Sequence, residues 1–209
     1  MKTILFQGDS ITDMDRSREN DNWLGCGYVS MVAGKMGMEN PGAYRFLNRG
    51  ISGNRLVDLY ARIKADCWNL NPDVLSILIG CNDVGLEIHF GNGVDAVRFE
   101  RVYDMLLTDT FERLPDCKIM LLEPFLMNYT DTERWWPDYR AEVEKRAAIV
   151  KKMADRYNLI FVPLQKAFDE ACETCHVSQW TPDGVHPSHA GAAIIAEAWM
   201  KAYKENFED

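Results

Sequence analysis

Short β-prone segments and longer amphipathic segments alternate along this sequence, and that alternation constrains the fold more than any other feature. Apolar or β-branched runs bounded by Gly, Pro, Asn or Asp predict strands at 2–7, 44–48, 74–79, 118–122 and 159–162. Apolar residues at three- and four-residue spacing predict helices at 28–38, 56–70, 94–114, 140–157 and 190–207. A chain with this order passes from one parallel strand to the next through a helix.

The order predicts an α/β fold of the flavodoxin-like type, with three α/β/α layers around a five-stranded parallel sheet of strand order 2-1-3-4-5. The length of 209 residues fits one domain, which we expect to span residues 1–209. Ligands of such sheets bind beyond the carboxyl ends of the strands, near the point where the strand order reverses. We therefore expect a site in the loops that follow the first three strands.

Composition and charge exclude several classes of partner. An apolar share of 47% and a charged share of 26% are typical of a globular protein in water. The formal net charge of −9 repels nucleic-acid phosphates and anionic membrane surfaces. The apolar runs are too short to span a membrane, and the first residues do not resemble a signal peptide. We expect a cytoplasmic protein that binds neither nucleic acid nor membrane.

The six cysteines are scattered, and reduced thiols that pack as small apolar side chains are the simplest interpretation. Cys172, Cys175 and His176 form a C-x-x-C-H pattern, which is also the pattern of covalent haem attachment. No export signal precedes it, which disfavours haem attachment. A redox dithiol is also disfavoured, because such motifs normally follow a strand and open a helix, whereas this one is expected to end a helix. We predict no cofactor.

The loop after the first strand places a hydroxyl at the expected edge of the sheet. It reads Gly8-Asp9-Ser10-Ile11-Thr12, in which the glycine permits a tight turn and Ser10 is placed to act as a nucleophile. The alternative is that Asp9 and Ser10 cap a following helix.

The next two loops supply candidate hydrogen-bond donors. Gly53, in the run Asn-Arg-Gly-Ile-Ser-Gly-Asn after the second strand, could present a backbone N–H to a ligand. Asn82, after the third strand, carries a side-chain amide that could stabilise developing negative charge. An ordinary turn is the competing interpretation for each of the two loops. At Asn82 it would be a turn formed by Asn82 and Asp83.

Asp183 and His186 lie three residues apart near the C-terminus, so one turn can bring the carboxylate beside the imidazole. A carboxylate on one ring nitrogen orients the histidine so that the other nitrogen accepts a proton from a serine. With His189, the same residues could instead form part of a metal site, but no closed ligand set is evident. We predict a base and its orienting carboxylate, and no metal.

Together these blocks resemble those of the SGNH, or GDSL-type, hydrolases, in the order Ser10, Gly53, Asn82, His186 over nearly the whole chain. The resemblance implies that Ser10 attacks an acyl carbon, that the Ser10 and Gly53 N–H groups and the Asn82 amide form an oxyanion hole, and that Asp183 is the aspartate of the triad. The first block reads GDSIT rather than GDSL, and the chain has no G-x-S-x-G elbow. The runs GDSITD, NRGISGN, IGCNDV and DGVHPSHAG are similar to the acetylxylan-esterase-like branch, which implies a small ester of an acetylated sugar as substrate.

Other residues are candidates for binding the substrate. Trp135 and Trp136 could stack on a sugar ring, or could pack at a helix start or a subunit contact, and Trp180 has the same two interpretations. Asp9 and Arg55 are candidate supports beside the presumed donors. A homo-oligomer is a further expectation, because closed oligomers are common among soluble enzymes.

Three other functions compete with the acetyl esterase. A lysophospholipase or thioesterase would need an apolar groove near Ser10. A sugar acyltransferase would pass the acyl group to a hydroxyl instead of water. A carbohydrate-binding protein with an inactive site would not react with a fluorophosphonate.

Overall fold

A computed structural model describes residues 1–207, and its centre is a sheet of five parallel strands. The strands are β1 (Lys2–Gly8), β2 (Tyr44–Asn48), β3 (Val74–Leu78), β4 (Lys118–Leu122) and β5 (Ile160–Val162). Their order is β2-β1-β3-β4-β5, and each neighbouring pair is parallel. The predicted fold class and strand order are confirmed.

Helices cover both faces of the sheet. They are α1 (Ser10–Asp13), α2 (Tyr28–Glu39), α3 (Leu56–Asp66), α4 (Cys81–Phe90), α5 (Ala96–Arg113), α6 (Asp138–Tyr157), α7 (Gln165–Thr174) and α8 (His189–Phe207). Buried side chains of α2, α7 and α8 pack on one face, and those of α3, α5 and α6 pack on the other. Alternate strand residues therefore point into two separate apolar cores, which is why the strands are apolar on both sides.

Some helix boundaries differ from the sequence-based expectation. The helix predicted at 56–70 ends at Asp66 and is followed by a short 3-10 helix at Trp68–Leu70. α1, α4 and α7 have no counterpart among the five helix ranges predicted from the sequence, and Asn82 and Asp83 were expected in a loop. Asn82 is instead the second residue of α4. The Asn-Asp turn interpretation is therefore wrong.

The sheet order brings three loops to one edge. β1 lies between β2 and β3, and the register pairs Phe6 with Asn48 and Gly8 with Leu78. The segments that follow β1, β2 and β3 consequently start side by side at the carboxyl ends of these strands. Among residues 1–207, no helix has both the length and the apolar character needed to cross a membrane.

Candidate active site

Ser10 lies at the start of α1, directly after β1. The buried Asp9 side chain caps this helix by accepting a hydrogen bond from the Ile11 N–H at 3.0 Å. Capping therefore belongs to Asp9, which leaves the Ser10 hydroxyl free for another partner. That partner is His186, whose Nε2 lies 2.8 Å from Ser10 Oγ although the two residues are 176 positions apart.

The turn from Asp183 to His186 holds the carboxylate against the imidazole. Asp183 Oδ2 lies 2.6 Å from His186 Nδ1. Asp183 Oδ1 accepts hydrogen bonds from the backbone N–H groups of Val185 at 2.8 Å and His186 at 2.7 Å. The Asp183 carboxylate thus stabilises the turn through one oxygen and orients the His186 ring through the other. This contact favours the tautomer with the proton on Nδ1, so that Nε2 can accept a hydrogen bond from the Ser10 hydroxyl.

The middle of this turn requires glycine. Gly184 has φ +94°, and a Cβ there would lie 2.6 Å from Thr132 Oγ1 and 2.7 Å from the Met127 carbonyl oxygen. The Met127 N–H also donates to the Gly184 carbonyl at 2.8 Å. The segment that follows β4 is therefore packed directly against the turn.

Thr181, which the sequence analysis missed, organises the same turn from within. Its fully buried hydroxyl donates to the His186 carbonyl at 2.7 Å and accepts from the Gly184 N–H at 2.8 Å and the Asp183 N–H at 3.2 Å. A threonine two residues before an aspartate in a turn is a recognisable signal, because Ser and Thr hydroxyls bond readily to nearby backbone groups.

Charge around the histidine favours its protonated form. The hydrogen bond to Asp183 raises the pKa of His186 above its ordinary value, burial opposes that rise, and the charges of Asp183, Asp9 and Asp131 add to it. Burial raises the pKa of Asp183, but hydrogen bonds from the ring and backbone of His186 and from Val185 outweigh it, so the net pKa lies below the ordinary value. Asp183 is accordingly an anion at neutral pH, able to stabilise an imidazolium.

Two buried carboxyl groups lie close behind the site. Burial raises the pKa of Asp9 to about 6, while the Ile11 N–H and the charge of His186 oppose that rise. Burial likewise raises the pKa of Asp83 to about 8, although both of its oxygens accept from the Leu56 N–H at 3.1 and 3.2 Å. Asp83 thereby ties the start of α3 to the start of α4.

The candidate oxyanion donors lie in two segments that are bonded to each other. Asn82 Nδ2 donates to the Asn54 carbonyl at 3.0 Å, which leaves its second N–H available. Gly53 is exposed with φ +80°, and its N–H donates to no acceptor within residues 1–207. Next to it, the Ser52 N–H donates to Asp13 Oδ2 at 2.9 Å, which fastens the loop to α1.

A cleft of about 460 Å³ opens at Ser10 and His186, and its other lining residues are Asp13, Met14, Asp15, Arg16, Arg18 and Ser52. Most of this lining is polar or charged. None of the residues predicted to bind or support the substrate lines this cleft. They are Asp9, Arg55, Trp135, Trp136 and Trp180.

Arg55 is engaged within the protein. Its guanidinium binds both carboxylate oxygens of Asp58, at 2.8 and 3.0 Å, and the carbonyl and side-chain oxygens of Asn92, at 2.7 and 2.9 Å. Arg55 thus caps α3 and holds the segment between α4 and α5. A role in binding substrate stays a prediction.

The three predicted tryptophans are all partly buried. Trp135 and Trp136 pack with Val185 on a small apolar cluster, and their rings also lie against Arg134 and Arg140, respectively. Trp180 packs on the core that includes α8, and its buried Nε1 has no hydrogen-bond partner among residues 1–207. Trp135 and Trp136 therefore pack on the same apolar cluster as Val185 of the turn, whereas stacking on a sugar stays a prediction.

No group of three or more His, Cys, Asp or Glu side chains in the described part of the chain is arranged to hold a metal ion. His189 is exposed at the first position of α8. The C-x-x-C-H run falls at the C-terminal end of α7, so the expected helix end is confirmed.

A five-stranded parallel sheet with a hydrogen-bonded serine, histidine and aspartate at its carboxyl edge has the arrangement of a serine hydrolase. A family model described as the GDSL-like lipase/acylhydrolase family matches residues 6–194. This chain belongs to that family, whose members are acylhydrolases, and it is a carboxylic ester hydrolase.

Individual relatives cover nearly the whole chain. An acetylxylan esterase of Geobacillus stearothermophilus is 34% identical over 205 residues, which are 95% of this chain and 92% of the relative. The crystal structure of an acetylxylan esterase from that organism, Axe2, is 34% identical with a TM-score of 0.87, covering 99% of this chain and 95% of its own. The crystal structure of a putative GDSL-like lipase from Parabacteroides merdae is 36% identical with a TM-score of 0.90. The match covers 96% of this chain and 94% of the lipase chain.

Proposed function

We propose that this protein is a serine esterase that removes acetyl or other short acyl groups from xylo-oligosaccharides or related acetylated sugars. The observation that carries the proposal is the continuous hydrogen-bonded chain from Ser10 Oγ through His186 to Asp183 at the mouth of a polar cleft. No metal or cofactor takes part in the proposed reaction.

In the proposed reaction, His186 Nε2 removes the Ser10 proton while Oγ attacks the carbonyl carbon of the ester. The tetrahedral intermediate collapses when the imidazolium gives the proton to the leaving sugar oxygen, and an acyl-serine remains. A water molecule then loses its proton to His186 and attacks the acyl carbon. When this second intermediate collapses, the C–Oγ bond breaks, the imidazolium returns its proton to Ser10 Oγ, and the acid is released. Asp183 stays ionised throughout and stabilises the imidazolium.

The oxyanion is stabilised by neutral donors in this proposal. The Ser10 N–H, the Gly53 N–H and the free Asn82 N–H supply the hydrogen bonds, and their segments are held in advance by Asp13 and Asn54. Donors fixed before the reaction need no reorganisation when the negative charge forms.

The polar cleft supports a sugar as the alcohol component of the ester. Aspartates, arginines and serines offer donors and acceptors to hydroxyl groups, whereas a long acyl chain would gain little from such a lining. The acetylxylan esterases among the relatives, which are similar over most of the chain, support acetylated xylo-oligosaccharides as the first substrates to test.

A reducing compartment such as the cytoplasm is part of the proposal. All six cysteines are free within residues 1–207, and Cys26 and Cys175 are exposed. Exposed free thiols persist best where the surroundings keep them reduced.

The test measures acetate release from acetylated xylo-oligosaccharides, acetylated glucosides and long-chain esters with the wild type and with Ser10→Ala. Ser30→Ala is the matched control, because the Ser30 hydroxyl donates to the Gly27 carbonyl on α2 outside the cleft. We expect activity and fluorophosphonate labelling to be lost in Ser10→Ala and retained in Ser30→Ala. Full activity of Ser10→Ala would refute the proposal.

The same panel separates the competing functions. Preference for long-chain esters would identify a lysophospholipase or thioesterase instead. Transfer of acetyl to an added sugar at the expense of free acetate would identify an acyltransferase.

A further inference from the structure

Arg16 differs from the other arginines around the cleft. Its guanidinium lines the cleft with Ser10 and His186 and is half-buried. Arg18 forms an ion pair with Asp13 at 2.6 Å, and Arg49 pairs with a carboxylate in the neighbouring loop at 2.7 Å. None of the ion pairs within residues 1–207 includes Arg16.

The Arg16 guanidinium has hydrogen-bond donors to spare. Its Nε donates to the Gly50 carbonyl at 2.8 Å, and one Nη1 hydrogen donates to the Ser17 carbonyl at 3.2 Å. A guanidinium has five N–H donors, so three have no acceptor among residues 1–207. Burial and the neighbouring charge of Arg18 lower the pKa of Arg16 to about 10, so the group is still charged at neutral pH. The charges of Asp13 and Asp66 also act on Arg16, but these carboxylates form their ion pairs with Arg18 and Arg62. The half-buried guanidinium therefore gains from any acceptor that enters the cleft.

We propose that Arg16 binds hydroxyl oxygens of the sugar that is the leaving group of the ester. Arg16 thereby selects esters of polyhydroxylated alcohols over esters of alcohols without further hydroxyl groups. This inference rests on the proposed esterase function and deepens it, because it assigns the recognition of the leaving group to one side chain.

The charges in the cleft favour hydroxyl groups over a carboxylate on the substrate. The exposed Asp15 lines the same cleft, as does Asp13, and the protein carries a formal net charge of −9. An anionic substituent would meet these negative charges. A sugar hydroxyl accepts a hydrogen bond from Arg16 and donates one to a carboxylate, so it satisfies both kinds of lining group.

The experiment compares two acetate esters that share a six-membered ring. One is a monoacetylated methyl xyloside, whose remaining hydroxyls can reach Arg16, and the other is cyclohexyl acetate, which has none. The measured quantity is the ratio of the two kcat/KM values for the wild type, Arg16→Met and Arg16→Lys. Arg98→Met is the control, because Arg98 is exposed on α5 outside the cleft.

We expect Arg16→Met to lower the xyloside-to-cyclohexyl ratio about tenfold or more, chiefly through KM of the xyloside, as for the loss of a hydrogen bond to a charged group. Arg16→Lys keeps the charge and should restore part of the ratio, and Arg98→Met should leave it unchanged. Arg16 also supports the Gly50 loop, and a purely structural role would lower both kcat/KM values together.

An unchanged ratio in Arg16→Met would overturn the inference. It would leave the proposed function intact as long as the wild type still releases acetate through Ser10.

Discussion

The replacement Asp183→Asn tests the orientation of the histidine with little change of shape. The Asn side-chain oxygen can take the place of Oδ1 and keep the hydrogen bonds from the Val185 and His186 N–H groups. Its NH₂ group then faces His186 Nδ1, where the carboxylate oxygen lies 2.6 Å away in the native protein. An NH₂ donor there requires the ring proton to sit on Nε2, so the ring can no longer accept a proton from Ser10.

The expected loss of kcat is large. The wrong tautomer lowers turnover of a serine hydrolase about 10⁴-fold, which corresponds to about 5 kcal/mol of activation free energy. The fold should survive, since the turn keeps its two backbone hydrogen bonds. We therefore expect a melting temperature close to that of the wild type.

Asp183→Ala separates orientation from folding. It also removes the hydrogen bonds from the Val185 and His186 N–H groups. Because each bond to a charged group contributes about 1.5 kcal/mol to the free energy of unfolding, we expect a loss of about 3 kcal/mol. For a chain of this size that lowers the melting temperature by roughly 6–12 °C. The assay is acetate release at saturating substrate, combined with calorimetry on both variants. Near-native kcat in Asp183→Asn, or equal melting temperatures for the two variants, would refute the reasoning.

Three further predictions address the donors, the base and the turn. Asn82→Ala should lower kcat about 10²- to 10³-fold, measured by acetate release, and an unchanged kcat would remove Asn82 from the site. The pH profile of kcat/KM should fall on the acidic side with an inflection above about 6.5, because the raised pKa of His186 keeps the base protonated to a higher pH. A rate that is flat from weakly acidic to neutral pH would contradict His186 as the base. Thr181→Val leaves the buried Gly184 N–H and the part-buried Asp183 N–H without an acceptor, so we expect a loss of about 2 kcal/mol, or roughly 4–8 °C in melting temperature, and a lower kcat. Thr181→Ser should behave like the wild type, and an equal loss in both variants would rule out the hydroxyl as the cause.

The fold was largely predictable because its signals are local. Each strand is a short apolar run, and the long helices have clear periodicity. The missed helix α4 shows where local signals fail, because Gly85 interrupts its pattern. A Cβ at Gly85 would lie 2.5 Å from Tyr139 Oη, so the glycine is required by a residue on α6. A contact over that sequence distance leaves no trace in a window of ten residues.

Some residues of the candidate site could likewise be predicted from the sequence, and others could not. Asp183 and His186 could be paired from the sequence because three residues of separation suffice for one turn. Arg16 could not be recognised, because its role depends on which charges stand beside it after folding. Arg55 was a reasonable candidate from its neighbours, yet four of its five guanidinium N–H donors are taken by Asp58 and Asn92. Sequence spacing does not show which hydrogen-bonding groups are already satisfied.

By itself the sequence determined the parallel α/β architecture and the candidate site residues, since these depend on patterns a few residues long, and the regular alternation of strands and helices predicted the strand order. Only the tertiary structure decided that Ser10 Oγ and His186 Nε2 stand 2.8 Å apart and that Arg16, which forms no ion pair within residues 1–207, shares their cleft. The physical reason is that proximity across 176 positions is produced by the packing of the whole sheet and its helices. No local preference of the chain can encode it.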